Sequence, residues 1–204
     1  MKRILPTWAL FVLALSPAWT DNILLSPTGV TLTTGQFQAE TALSAANSRG
    51  NYVWFAAGLQ QFEFNYVRFE NPAGKKENQF GVQWSFLPET ILTPAVSFGV
   101  KDATSQSKEG IGAYVAITRH LPVGIRSPII KDFALTLGFG LKGVNGAFFG
   151  AEVALPHDLF FQYEFDSRDV NVAIGWQPNP RIRVKGYALR DEAYFGAEFV
   201  PLAF

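Results

Sequence analysis

The stretch Phe133-Ala134-Leu135-Thr136-Leu137-Gly138-Phe139-Gly140-Leu141-Lys142 decides the fold. Phe and Leu fill every odd position, and Ala, Thr, Gly, Gly and Lys fill every even one. Side chains on a β-strand point to opposite faces in turn, whereas a helix would space its apolar residues three and four apart. This segment is therefore a strand with one apolar face. Its other face is built from small residues, where a sheet facing water would present Lys, Glu and Thr. Small side chains relieve crowding on the concave inside of a closed barrel, and they confer nothing on a convex surface. Phe37-Ala39-Thr41-Leu43-Ala45, Phe80-Val82-Trp84-Phe86 and Leu159-Phe161-Tyr163-Phe165 repeat the pattern, and Gly112-Tyr114-Ala116-Thr118 repeats its uncharged inner face, with one Tyr among small residues. Rows of Phe, Leu, Val and Trp on the outer face would be an aggregation hazard in water, so the expected solvent is lipid.

Composition agrees with an apolar surrounding. Charged residues make up 17% of the 204-residue chain, against about 25% for ordinary soluble domains. Acidic and basic residues balance at 17 each, so no net field draws the protein to nucleic acid. Cysteine is absent, which excludes disulfides, thiolate chemistry and a lipoprotein anchor. Lys2 and Arg3, the apolar run Ile4–Leu15 and the small residues Ser16-Pro17-Ala18 read as a signal peptide over residues 1–20. The apolar run falls short of the roughly 20 residues that a spanning helix needs. No later stretch supplies one, so a membrane crossing must be made by a closed barrel. Residues 21–35 are expected to form a lead-in segment or small plug, and residues 36–204 the barrel.

Two sets of turn signals alternate along the chain. One comprises Asn47–Gly50, Asn71–Glu77, Asp102–Gly110, Gly143–Gly146, Asp166–Asp169 and Arg190–Glu192; the other comprises Leu87-Pro88, Leu121-Pro122, Leu155-Pro156 and Gln177-Pro178. Alternation of this kind places one set at each rim of an up-and-down barrel. Proline cannot donate to a ladder, so its confinement to strand ends suits the sheet. Pro88, Pro122 and Pro156 are equally spaced, as hairpins of constant length would be. The expected fold is an all-β, up-and-down antiparallel transmembrane barrel of about 12 strands, with about 10 as the alternative if residues 88–94 break a pair. An even count puts both chain ends on one, periplasmic, side. The aromatic Phe204, with Leu202 two before it, resembles the terminus by which outer-membrane barrels are recognised for assembly, although Pro201 interrupts the alternation.

Chemistry-bearing residues are few. Glu152, Glu164, Asp166, Arg181, Arg183, Lys185 and Glu198 share inward-facing parity late in the chain. Charges in a narrow lumen must be paired or hydrated, because an isolated one costs several kcal/mol. They are expected to form a salt-bridged network that stiffens the barrel. The competing reading is a polar site for an anionic sugar or lipid headgroup. Gly138, Gly140 and Gly143 spell the dinucleotide-binding pattern but lead into a strand, without the helix N-terminus that holds phosphate. His120 and His157 lie beside rim turns, no Ser sits in a nucleophile elbow, and Ser85 or Ser97 would have to meet a histidine from another strand. No enzyme activity, cofactor or metal is expected. Trp54, Tyr66, Trp84, Trp176, Tyr187 and Tyr194 are candidates for headgroup girdles, with Trp54 and Tyr194 falling on the inner face by parity.

The stretch GAFFGAEVALPHDLFFQYEFDSRDVNVAIGWQP, residues 146–178, resembles the YjbH-like family of outer-membrane barrels associated with exopolysaccharide production. Ile125-Arg126-Ser127-Pro128 followed by Phe133-Ala134-Leu135 looks like that family's preceding strand, and Ser26-Pro27-Thr28-Gly29 echoes its opening. The likeness covers residues 125–199. This chain is shorter than the large family members and has no lipoprotein Cys, which suggests a single-barrel version. The resemblance implies outer-membrane location and a role in exporting or assembling surface polysaccharide. Expected partners are outer-membrane lipid, the barrel-assembly machinery and polysaccharide-secretion proteins. A small passive solute channel and a soluble periplasmic barrel that binds an apolar ligand are the alternatives.

Overall fold

The computed structural model describes residues 23–46, 50–70, 74–107, 110–122 and 129–200. The expected signal peptide, the Ile125–Pro128 stretch and the terminal Pro201, Leu202 and Phe204 lie outside the described residues. Twelve strands follow one another: β1 (Phe37–Ser44), β2 (Asn51–Leu59), β3 (Phe62–Glu70), β4 (Lys76–Leu87), β5 (Ala95–Lys101), β6 (Gly112–Pro122), β7 (Asp132–Lys142), β8 (Gly146–Ala154), β9 (Leu159–Phe165), β10 (Val170–Asn179), β11 (Ile182–Leu189) and β12 (Glu192–Phe199). Each pairs antiparallel with its neighbours in sequence, and β1 closes on β12 from Ala39 opposite Phe199 to Ser44 opposite Tyr194. The result is a closed, up-and-down, all-β barrel, and closure leaves no exposed edge. Residues 88–94 form a loop between β4 and β5 and do not break the count.

The two turn sets occupy opposite rims. The rim where β1 begins and β12 ends, here the terminal rim, carries the loops after β4, β6 and β8; the distal rim carries the first turn set. Two details differ from the sequence expectation. The β2–β3 turn at Gln60-Gln61 has no Gly or Pro to announce it, because Gln60 takes the left-handed conformation at φ 58° itself. Gln177-Pro178 is not a turn; β10 runs on to Asn179 through an irregularity between Trp176 and Asn179. At the distal rim Arg190 and Asp191 both have positive φ, 50° and 66°, as a two-residue hairpin turn of the primed type requires.

The outer face of the strands is apolar from rim to rim. Phe55, Phe64, Phe80, Phe98, Ile117, Leu137, Phe149, Phe161, Ile174, Val184 and Phe195 all stand exposed on it. Rings stack across strands, including Phe37 on Phe199 at the closure seam, with centroids 5.2 Å apart, and Phe86 edge-on to Phe98. Among the described strand residues, outward charges occur in two places only. Arg68, Glu70 and Lys76 pair with one another near the distal rim, and Arg119 stands near the terminal rim. Tyr66, Trp84 and Trp176 also face outward. Tyr187 does not: it is buried in the lumen with Trp54 and Tyr194, because β11 turns Arg183, Lys185, Tyr187 and Leu189 inward together.

Candidate functional site in the lumen

A barrel of eight strands is filled by its own side chains, and a wider one needs further material to close it. Here residues 23–35 supply that material. The segment crosses the interior, and Ile23, Leu24, Leu32, Ser26 and Thr28 are buried within it. Its leucines pack with Tyr52, Trp54, Tyr187, Tyr194 and Leu189 into one apolar cluster. Wall glycines set the fit. A Cβ on Gly58 would stand 2.4 Å from the Leu32 carbonyl oxygen, and one on Gly150 would stand 2.2 Å from Ile23 Cδ1. Gly29 of the segment is just as confined, since its Cβ would meet the Ala95 carbonyl oxygen at 2.5 Å. The small inner residues thus make room for a chain segment and for inward rings such as Phe148, which lies over Gly138. That is where two of the dinucleotide-pattern glycines belong: Gly138 and Gly140 line the inner face of β7 beneath Phe148 and Val144.

Polar contacts hold the segment along its length. The carboxylate of Glu164 on β9 accepts from three successive amides, Leu24 at 3.1 Å, Leu25 at 2.9 Å and Ser26 at 2.8 Å, and from Asn171 Nδ2 at 2.8 Å. Lys101 Nζ donates to the Leu25 carbonyl at 3.2 Å. Further along, Gln83 Nε2 donates to the Thr28 and Val30 carbonyls at 2.8 and 3.0 Å, and Ser97 Oγ donates to Thr28 O at 2.9 Å. Gly29 N donates to Thr118 Oγ1 at 2.7 Å, and Leu32 N donates to Glu63 Oε2 at 3.0 Å. An irregular backbone inside a barrel must find partners in the wall, and this one does.

The other buried charges pair with each other. Glu40 on β1 lies directly opposite Glu198 on β12, an arrangement that is destabilising unless a cation intervenes. Lys185 on β11 intervenes, its Nζ standing 2.6 Å from Glu40 Oε1 and 2.7 Å from Glu198 Oε2. Tyr187 donates to Glu40, and Gln38 donates to Glu198. Beside this group Arg183 reaches Glu152 on β8 at 3.0 Å, stacks 4.7 Å over the Phe160 ring, and shares Glu152 with Gln162 Nε2 at 2.7 Å. The buried strand charges of the lumen comprise Glu40, Glu63, Glu152, Glu164 and Glu198 against Arg183 and Lys185. The two cations serve three of these carboxylates, and amides of the 23–35 segment serve Glu63 and Glu164.

Of the seven residues singled out from the sequence, Glu152, Arg183, Lys185 and Glu198 meet in this ion cluster, and Glu164 holds the plugging segment. Asp166 and Arg181 join neither. Asp166 sits in the β9–β10 turn, where its Oδ1 accepts from the Arg168 and Asp169 amides, and Arg181 is exposed in the turn before β11. Strand parity predicts a face only while the strand lasts. Glu40, Glu63, Gln38, Gln162 and Tyr187 were missed, although the alternation Phe62-Glu63-Phe64 and the inner parity of Gln38, Glu40 and Gln162 already pointed four of the five inward.

Among the described residues, the histidines and the candidate serine Ser97 stand apart. His120 contacts Glu89, His157 is exposed in the rim turn Pro156–Asp158, and Ser97 is bound to Thr28. Among the described residues no three His, Asp or Glu side chains converge as a metal site. No protein-family model and no curated protein matches the chain. What stands is a twelve-strand antiparallel barrel with an apolar outer wall, and the YjbH-like likeness rests on the quoted residues alone.

Proposed function

We infer that this chain is a bacterial outer-membrane barrel with a closed lumen, and that it serves surface-polysaccharide export or envelope organisation without catalysing a reaction. The observation that carries the reading is an inversion of the usual order, with Phe, Leu, Ile and Val on the outer wall and paired charges inside. In water that order leaves the apolar wall wetted; in lipid both faces are satisfied. Trp84 and Trp176, exposed near the terminal rim, suit a headgroup girdle. The polysaccharide role rests on the YjbH-like resemblance, and it brings the barrel-assembly machinery and polysaccharide-secretion proteins as partners. The closed state follows from the bound 23–35 segment, which argues against a passive channel.

The mature chain is expected in the sarkosyl-insoluble envelope fraction, with gel mobility that shifts on heating. A protein that stays monodisperse in plain buffer without amphiphile would overturn the membrane reading. In planar bilayers the wild-type barrel is expected to show no steady conductance; sustained channel currents would overturn the closed lumen. Deleting the gene in a polysaccharide-producing strain is expected to lower surface polysaccharide, and an unchanged yield would remove that role.

A further inference from the structure

One loop at the terminal rim shows an arrangement that water does not explain. Ile91 and Leu92, between β4 and β5, are each 91% exposed, more than any other large apolar residue described. The backbone that carries them is nonetheless tightly bound. Thr90 N donates to Thr93 O at 3.0 Å, and the Leu92 and Thr93 amides donate to Thr90 Oγ1 at 3.2 and 3.1 Å. Arg119 donates to the carbonyls of Thr90 at 2.6 Å, Thr93 at 2.8 Å and Ile91. Glu89 lies 3.9 Å from the same guanidinium and accepts the His120 amide at 2.8 Å, an amide beyond the point where β5 stops pairing with β6. Arg119 faces outward between Ile117 and Leu121, so its guanidinium holds the loop from the outer side of β6.

We propose that residues 89–93 form a preformed apolar finger that inserts Ile91 and Leu92 into the lipid leaflet meeting the terminal rim. The proposal rests on the membrane reading above. A backbone entering the headgroup–acyl boundary must bring its own hydrogen-bond partners, because each unsatisfied group costs several kcal/mol there. The Arg119 clamp supplies them and uses the outward charge of this rim in doing so, with Glu89 as its counter-charge. Ordering two apolar side chains into water would lower stability for no return, whereas in lipid their exposure is favourable. The β2–β3 turn at the same rim is Gln60-Gln61, polar at its tip where this loop is apolar.

The chain has no cysteine, so single labels are unambiguous. Leu92→Cys, Leu137→Cys in the middle of the outer wall and Gln106→Cys at the distal rim would each carry an environment-sensitive fluorophore. The full barrel would be placed in nanodiscs of phosphatidylethanolamine and phosphatidylglycerol. Quenching by lipid-borne nitroxide and by aqueous iodide is then compared. The Leu92 label is expected to be quenched by the lipid nitroxide and to be several-fold less accessible to iodide than the Gln106 label. If the Leu137 label meets lipid while the Leu92 label is as iodide-accessible as Gln106, the finger proposal falls and the membrane reading stands. If Leu137 does not meet lipid, the membrane reading falls first. Arg119→Gln is expected to move the Leu92 label toward water, since three carbonyls lose the guanidinium they share; an unmoved label would overturn the role of the clamp.

Discussion

The inner wall of the barrel divides into two arcs that satisfy buried polar groups by different means. From β3 to β6 the inward residues are mostly neutral, Gln83, Ser97, Tyr114 and Thr118, and their partners lie largely on the 23–35 segment. From β8 through β12 to β1 the inward residues are Glu152, Arg183, Lys185, Glu198 and Glu40, and their partners lie on the wall itself. Glu164, within the second arc, behaves like the first: it takes backbone amides from the segment. The first arc holds something that could in principle leave. The second ties β11 to β8, β12 and β1, and cannot open without unfolding the barrel. Rigidity and closure are therefore separable properties of one interior.

Removing Lys185 should do the most damage. Lys185→Ala would leave Glu40 and Glu198 facing each other with no cation between them, and breaking a buried pair in this way costs about 3–5 kcal/mol. The unfolding midpoint in urea, measured in detergent micelles, is expected to fall accordingly. Arg183→Ala should cost less, because it leaves one carboxylate, Glu152, without its cation, where Lys185→Ala leaves two that face each other. A second change, Glu40→Gln in the Lys185→Ala background, should restore part of the loss by removing one of the opposed charges. If Lys185→Ala left the midpoint unmoved, the second arc would not be the rigid one.

The first arc was harder to foresee, and the reason is physical. Alternation shows which way a strand residue points, so the apolar wall, the inward parity of Lys185 and Glu198 and the twelve-strand count were legible in segments such as residues 133–142. Which inward groups meet is a matter of register and of distance along the chain. Glu164 binds amides about 140 residues away, and the sequence of Leu24-Leu25-Ser26 carries no mark of that contact. Residues 21–35 could be read only as lead-in or plug, because an irregular segment has no period to report. Asp166 and Arg181 have inner parity yet lie outside the lumen for the opposite reason: alternation has no meaning past the ends of β9 and β11, in the turns.

Glu164 tests whether the two arcs are separable. Glu164→Ala removes the shared acceptor of the Leu24, Leu25 and Ser26 amides, and buried donors left without a partner cost about 1–3 kcal/mol. The effect should be local. Amide exchange at residues 24–30 is expected to speed up by more than at any strand residue, while the urea midpoint moves less than in Lys185→Ala. Intermittent conductance in planar bilayers should appear if the loosened segment vacates the lumen. A global destabilisation equal to that of Lys185→Ala, with no selective exchange at residues 24–30, would show that segment and wall unfold as one unit.

The smallest expected effect lies at the distal rim of the first arc, where Asp102 follows β5. Its carboxylate accepts from the Ser107 hydroxyl at 2.5 Å, the Ser107 amide at 2.7 Å and the Gln106 amide at 2.9 Å. Burial pushes the Asp102 carboxyl up, but the hydrogen bonds from Ser107, Gln106 and Thr104 together outweigh it and hold the group below its ordinary value. A depressed folded value means that the loop gains from this carboxylate above the unfolded aspartate value of about 3.9, and loses the gain as pH falls through the folded value. Exchange of the Gln106 and Ser107 amides, corrected for the intrinsic pH dependence of exchange, should therefore speed up at the acid end. Asp102→Asn should make that exchange fast at neutral pH and remove its acid step. Asn tolerates the left-handed backbone of this position, φ 53°, so lost charge and not strain would be the cause. The exchange of residues 24–30 should not follow. If it did, the rim loop and the plugging segment would be coupled, and the first arc would be one cooperative element in place of a wall and a separate occupant.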